Sequence, residues 1–188
     1  MTEAEWLTGR EPYPMLRLVA PQASGRKLRL FACGCCRHWT AFRDDPVLVA
    51  AVDVGERYAD GEIGGNDLPS SLRRHPDSPL TGAVLAERAF AAAVNVAYLL
   101  SYNRPELLVR DVFGNPFRPV TAEPRWLTST AVGLAEGIYD GREFDRLPIL
   151  ADALEDAGCD NSELLAHCRG DGPHVRGCWT VDLVLGKE

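Results

Sequence analysis

Apolar residues recur at the helical period along nearly the whole chain, and this pattern constrains the fold more than any other feature. The stripe within 25–43 is formed by Leu28, Phe31, Cys35 and Trp39. Spacings of three and four residues place such side chains on one helix face. The segment 175–185 is β-branched enough for a strand, but no convincing strand partner exists, so we interpret it as a helix. The sequence therefore predicts an all-α protein, a compact multi-helix bundle of about eight to ten helices.

Residues with strong capping preferences delimit these helices. Thr2, Ser24, Thr128 and Asn161 stand where predicted helices begin, and Gly158 stands where one ends. The stretch "DGEIGGNDLPSSLRRHPDSP", residues 60–79, is rich in turn-forming residues and predicts a flexible loop. A chain of 188 residues fits one domain over 1–188, with this loop as the possible subdomain boundary.

The charge balance limits the classes of partner. The chain carries a formal net charge of −7, which argues against a general binder of nucleic acid or anionic membranes. Between Arg17 and Arg43, however, there are six basic residues and no acid. No apolar run approaches the roughly 18 residues of a membrane span, and the N-terminus lacks the pattern of a secretory signal. We therefore expect a cytoplasmic protein whose six cysteines are thiols or metal ligands.

Four stretches of the chain form specific motifs: "MTEAEWL", "RKLRLFACGCCRHW", "FGNPFRPV" and the C-terminal block from "AEGIYDGREFDR" to "HCRGDGPHVRGCWTVDLVLGKE". Together they resemble a family of small, functionally uncharacterised bacterial proteins that occur in planctomycete genomes. The C-terminal block also resembles a module attached to larger multidomain proteins. The resemblance implies a stand-alone or appended bacterial module, and it implies no catalytic residues.

Zinc is the first chemistry that the cysteines suggest. Cys33 and Cys36 form a C-x-x-C pair, and His174 and Cys178, with His167 or Cys168 beside them, could complete four ligands. The pair lies in the middle of a predicted helix, whereas zinc pairs are more often found on turns. The alternative is that these cysteines simply pack as small apolar side chains.

Two thiol chemistries are weaker. His174 and Cys178 would share a face if the last helix began early, and Arg176 would favour a thiolate. No oxyanion loop or orienting acid is evident, although Asp182 lies one turn further on. A thioredoxin-type redox pair needs its C-x-x-C at a helix N-terminus after a strand, which this sequence does not predict.

Two other patterns have simpler explanations. Asp145, Asp152, Glu155 and Asp156 crowd one helix. They could form an acid–base pair or metal site, yet a solvated polar face is the expected role. The glycines of "GDGPHVRG" could bind an anion, but Pro173 removes a donor, and we expect Arg176 to pair with a nearby acid.

The stretch 167–179, "HCRGDGPHVRGCW", is therefore interpreted as a helix-to-helix joint. Its glycines supply the turn, and Trp179 fixes the terminal helix to the body of the protein.

The leading functional prediction is a non-enzymatic module that binds an unknown protein partner and needs no cofactor. Its predicted binding residues are Arg26, Lys27, Arg29, Arg37, Phe117 and Arg118. The first alternative is a domain stabilised by one structural zinc through Cys33, Cys36, His174 and Cys178, with a metal-dependent enzyme as its extension. A nucleic-acid adaptor using the basic face around Arg26–Arg43 is the third.

Overall fold

The computed structural model describes residues 1–64 and 88–187, and the secondary structure of these ranges is helical, without strands. Ten α-helices occur there: α1 (Glu3–Thr8), α2 (Pro12–Val19), α3 (Gly25–His38), α4 (Pro46–Ala59), α5 (Ala89–Leu99), α6 (Pro105–Phe113), α7 (Ser129–Gly141), α8 (Leu147–Asp156), α9 (Ser162–Arg169) and α10 (Trp179–Leu185). The all-α prediction is confirmed. None of these helices is long and apolar enough to span a bilayer.

The predicted capping residues begin their helices as expected. Thr2 forms a reciprocal capping box with Glu5, and the side chains of Ser24 and Thr128 accept hydrogen bonds from backbone N–H groups in the first turns of α3 and α7. Gly158 follows α8 with φ of +85°, a conformation that glycine adopts without steric cost. Local hydrogen bonding thus sets these helix ends, which is why they could be predicted.

Two predicted helices are shorter in the structure. Helix α3 stops at His38 because Trp39 is extended, and a 3-10 turn over Thr40–Asp44 follows. The terminal helix begins at Trp179 and not near Val175, since the preceding residues form a turn. The prediction of a helix over this terminal segment is confirmed from Trp179 onward. The loop predicted over 60–79 lies outside the described residues beyond position 64.

The first half of the chain forms one hydrophobic core, which we call the N-terminal core. Helix α3 is central to it and packs against α4, α5 and α6. Trp6, Phe31, Leu48, Val96 and Val109 are among its buried members.

The second half forms a separate cluster, the C-terminal core. Helix α8 packs against α7 and α9, while α10 packs against α7. Trp126, Ile138, Leu150, Leu164 and Val181 are among its buried members. Helix α10 also contacts α6, so it reaches the N-terminal core.

Charged and polar side chains occupy much of the boundary between the two cores, which we call the inter-core interface. Its members from the first half are Arg26, Lys27, Arg37, Asp53, Glu56 and Asp60, and those from the second half are Tyr139, Arg142, Arg176 and Asp182. The segment 174–179 runs along this interface, with Val175 in the N-terminal core and Cys178 in the C-terminal core.

Candidate metal centre

Four side chains of metal-binding type meet at the inter-core interface. They are Asp111, His167, His174 and Cys178, and one ligand atom of each lies within 4.8 Å of those of all the others. Asp111 comes from the last turns of α6, His167 from the last turn of α9, His174 from the following turn, and Cys178 from the residue before α10. One residue of α6 and three residues of the stretch 167–178 therefore meet at one point.

The backbone of the turn after α9 is held against α3 by close contacts that glycine permits. A Cβ at Gly34 would lie 2.8 Å from the side chain of Val175, and one at Gly177 would lie 3.0 Å from Leu30. Gly177 also has φ of +90°, which a residue with a side chain rarely adopts. These two glycines let the turn approach α3 closely enough to place His174 and Cys178 beside α6.

The ligand atoms lie at hydrogen-bond distances, somewhat closer together than the ligands of a tetrahedral zinc ion. Asp111 Oδ1 lies 2.7 Å from His174 Nδ1 and 3.1 Å from His167 Nε2. His167 Nε2 lies 3.3 Å from Cys178 Sγ. Zinc–nitrogen and zinc–sulfur bonds of about 2.0 and 2.3 Å imply about 3.3–3.6 Å between ligands of a tetrahedron, so small outward shifts would accommodate the ion.

Further hydrogen bonds orient these side chains. Asp111 Oδ2 accepts a bond from the backbone N–H of Val175 at 3.0 Å, and Cys178 Sγ lies 3.3 Å from Thr180 Oγ1. The Nε2 of His174 lies 3.5 Å from the carbonyl oxygen of Gly170, which leaves Nδ1 facing the centre. Outer contacts of this kind fix the tautomer and direction of metal-binding side chains.

Burial and mutual hydrogen bonds shift the pKa values of three of the clustered groups. The side chain of Asp111 is 2% exposed, yet hydrogen bonds from His167 and His174 outweigh its burial and lower its pKa. Burial and the Asp111 charge raise the pKa of the Cys178 thiol. Burial opposes protonation of His174, but hydrogen bonds with Asp111 and Cys178 outweigh it and raise its pKa to about 9. A bound divalent cation would replace the protons on His174 and Cys178, because metal ligands bind in their deprotonated forms.

The structure brings together only part of the predicted ligand set. His174, Cys178 and the alternative ligand His167 meet, but Cys33 and Cys36 do not join them. Both lie buried in the N-terminal core on α3, where Cys33 Sγ contacts the carbonyl oxygen of Val52 at 3.9 Å. Burial raises the pKa of the Cys36 thiol to about 12. The C-x-x-C pair therefore packs as apolar side chains, and the other two members of the cluster are Asp111 and His167.

Asp111 was missed because it is 56 residues from His167 in sequence. One local signal did exist. In "LLVRDVF" an acid falls beside the buried positions Leu108, Val109 and Val112 of α6. A carboxylate on a buried helix face requires a partner, since burying an unpaired charge is costly.

The thiol-nucleophile hypothesis finds its histidine and its acid, but in an unsuitable setting. The acid near the histidines is Asp111, whereas Asp182 pairs with Arg26 at 2.8 Å. Cys178 is 0% exposed and its pKa is raised, so the reactive thiolate and a route for substrate are both disfavoured. Arg176 lies beside Glu56 and Asp60 and not beside the thiol. It therefore has the acidic neighbours that the sequence predicted.

The predicted basic helix face points largely into the protein. Arg26 pairs with Asp60 and Asp182, Lys27 lies 2.7 Å from Asp182, and Arg37 pairs with Glu56. Arg29 is 4% exposed and stacks on the ring of Tyr58 at 4.8 Å.

Phe117 and Arg118 are exposed members of the predicted binding set. They are 40% and 66% exposed, on a loop beside a cavity of about 440 Å³ that Phe113, Pro116 and Trp179 help to line. Arg118 forms an ion pair with Glu3 at 2.6 Å. A protein partner at this loop stays a prediction.

The acidic residues on α8 and just before it have the role of a solvated helix face. All four carboxylates are on exposed residues, and Asp152 pairs with Arg169 at 2.8 Å. They form a solvated helix face, as expected for the outer side of an amphipathic helix.

No protein-family model, curated protein or solved structure matches the chain. The functional assignment therefore depends on the chemistry of the site itself.

Proposed function

We propose that this chain is a zinc-binding helical protein, in which one tetrahedral zinc ion is held by Asp111, His167, His174 and Cys178. The observation that carries the proposal is that these ligand atoms, one from α6 and three from the stretch 167–178, lie within 4.8 Å of one another. Magnesium and calcium prefer oxygen ligands, whereas two imidazoles, one thiolate and one carboxylate suit zinc.

A structural role for the ion is favoured over a catalytic one. Catalytic zinc sites have three protein ligands and an open position, while structural sites have four protein ligands. Here four protein groups surround the centre, and the side chains of Asp111 and His174 are 2% and 9% exposed. Cys178 is fully buried. Four protein ligands would thus complete the coordination of the ion, which is consistent with a metal that stabilises the fold.

Elemental analysis of untagged protein tests this directly. We expect about one zinc per chain, retained through dialysis and removed by a strong chelator. Substitution by Co²⁺ should give the ligand-field spectrum of a tetrahedral ion together with a thiolate charge-transfer band. The cobalt ligand-field spectrum and the thiolate charge-transfer band should both disappear in Cys178→Ala.

A matched control is available ten residues away. Cys168 is buried in the same C-terminal core but does not belong to the cluster. The variant Cys168→Ala should therefore bind zinc like the wild type. Zinc that survives Cys178→Ala but is lost in Cys33→Ala or Cys36→Ala would show that the ion binds elsewhere, and a purified protein that takes up no zinc would refute the proposal.

A further inference from the structure

We infer that the metal centre is a releasable clamp between the two cores, so that metal loss undocks the C-terminal core while the N-terminal core stays folded. This inference rests on the proposed zinc site and goes beyond it, because a structural metal could equally stabilise the whole chain as one unit.

The first observation is how the ligands are divided between the cores. Asp111 lies on α6, among residues of the N-terminal core such as Leu108 and Val112. His167 and Cys178 belong to elements of the C-terminal core, α9 and the start of α10. A metal bound to all four ligands would therefore connect the two cores directly.

The second observation is the polar character of the inter-core interface. Arg26 of α3 donates to Asp182 of α10 at 2.8 Å and to Asp60 at 2.9 Å. The hydroxyl of Tyr139 on α7 donates to Asp60 at 2.6 Å. These groups can be hydrated when the cores separate, whereas separation within either core would expose apolar side chains.

A second group of charges repeats this arrangement at another position of the interface. Glu56 on α4 is paired with Arg37 from its own core at 2.6 Å. From the other core, Arg142 contacts the same carboxylate and Arg176 lies 3.9 Å from it. The carboxylate of Glu56 keeps Arg37 as a partner when the cores part, which lowers the cost of opening.

The third observation concerns the segment that the metal would hold. Residues 170–178, which connect α9 to α10, contain no helix and run along the inter-core interface. Val175 of this segment is buried in the N-terminal core. With His174 and Cys178 bound to a metal, the segment is fixed on both sides of Val175. Without the metal, the segment keeps Val175 and the hydrogen bonds of Asp111. It also keeps two polar contacts, from Lys27 Nζ to the carbonyl oxygen of Gly177 and from Arg176 Nε to that of Tyr139.

These observations predict a local opening and not a global one. Polar interfaces within a chain behave like transient protein–protein interfaces, and local opening costs less free energy than global unfolding. A ligand that binds only the closed form stabilises that form by mass action. Zinc would therefore set the population of the docked state.

Hydrogen exchange by mass spectrometry on the full chain tests the inference, with zinc content measured on each sample. After chelation we expect exchange to rise about tenfold or more in 170–178 and in α7–α9, and less than about twofold in α3 and α4. Equal acceleration in both cores would overturn the inference and leave zinc binding intact. So would unchanged exchange in a sample whose zinc is proven lost. A wild-type protein that binds no zinc would instead refute the proposed function.

The variant Asp111→Asn gives a second, independent arm. It removes the ligand on the side of the N-terminal core and leaves His167, His174 and Cys178. At saturating zinc it should still bind the ion, yet exchange in α7–α9 should match the chelated wild type. Cys168→Ala should match the zinc-bound wild type. Wild-type protection in zinc-bound Asp111→Asn would show that the metal does not act across the interface.

Discussion

Two regions of this protein bury cysteines, and among the described residues only one of them places a thiol beside histidine and carboxylate side chains. Cys33 and Cys36 on α3 are surrounded by the N-terminal core, where Val52 offers a single carbonyl contact. Cys178 is equally buried, but its thiol lies 3.3 Å from His167 and beside Asp111. Spacing in sequence favoured the first region, because C-x-x-C is a familiar zinc pattern. The neighbours of a thiol in the folded protein, and not its spacing from another cysteine in the sequence, therefore decide its chemistry.

Among the substitutions, the largest expected effect comes from removing a ligand of the proposed zinc site. His174→Ala should weaken zinc binding by more than about 100-fold, the upper range for loss of an outer-shell contact alone. It also removes the 2.7 Å contact with Asp111 and leaves this buried carboxylate less well paired. Competition with a chromophoric chelator measures the affinity. Affinity within tenfold of the wild type would show that His174 is not a ligand.

Zinc affinity should also depend strongly on pH at this site. Without metal, His174 has a pKa raised to about 9 and the pKa of the Cys178 thiol is also raised, so both carry protons at neutral pH. Binding must displace these protons. Affinity should therefore rise with pH up to the pKa values, by about tenfold per pH unit for each proton released. Affinities from chelator competition between pH 6.5 and 8.5, roughly the range below these pKa values, check this; a flat profile would contradict it.

Trp179→Ala should lower the stability of the fold. The indole packs against Gly114, where an added Cβ would lie 3.2 Å from the ring, and its centroid is 5.3 Å from that of His167. Because the side chain is only partly buried, we expect a loss of about 2–3 kcal/mol in the free energy of unfolding. Denaturant titration measures this loss. An unchanged midpoint would exclude the packing role predicted for Trp179.

The smallest expected effect is in the other cysteine region. Cys36→Ala removes one buried sulfur from the N-terminal core and should cost about 0.5–1.5 kcal/mol, the range for losing a single buried group. Zinc content should stay at the wild-type level, since Cys36 does not belong to the cluster. Parallel unfolding and elemental measurements test both statements. A loss of zinc in this variant would reverse the comparison of the two regions.

Helices and their ends could be predicted because they depend on nearby residues. The caps at Thr2, Ser24 and Asn161 each involve a backbone N–H three residues away. The start of α10 was misplaced because the turn before it depends on a distant contact. Gly177 is held against Leu30 of α3, which local periodicity does not report.

The basic stretch Arg17–Arg43 shows a second limit of sequence reasoning. Six cations without an acid indicated an exposed binding face. The acids that pair with Arg26, Lys27 and Arg37 come from α4 and α10, and they cover most of this face. A local excess of one charge therefore does not establish an exposed charged surface, because folding can supply the opposite charge from elsewhere.

The helical class and most helix ends could be predicted from the sequence, since both follow from spacings of a few residues. Tertiary packing selects His167 over Cys168, brings Asp111 of α6 to the histidines, buries Cys33 and Cys36 in the core and pairs basic groups of α3 with acids. The physical reason is that a coordination site and an ion pair depend on distances of a few ångströms between side chains. Helix packing sets those distances between residues that are far apart in sequence.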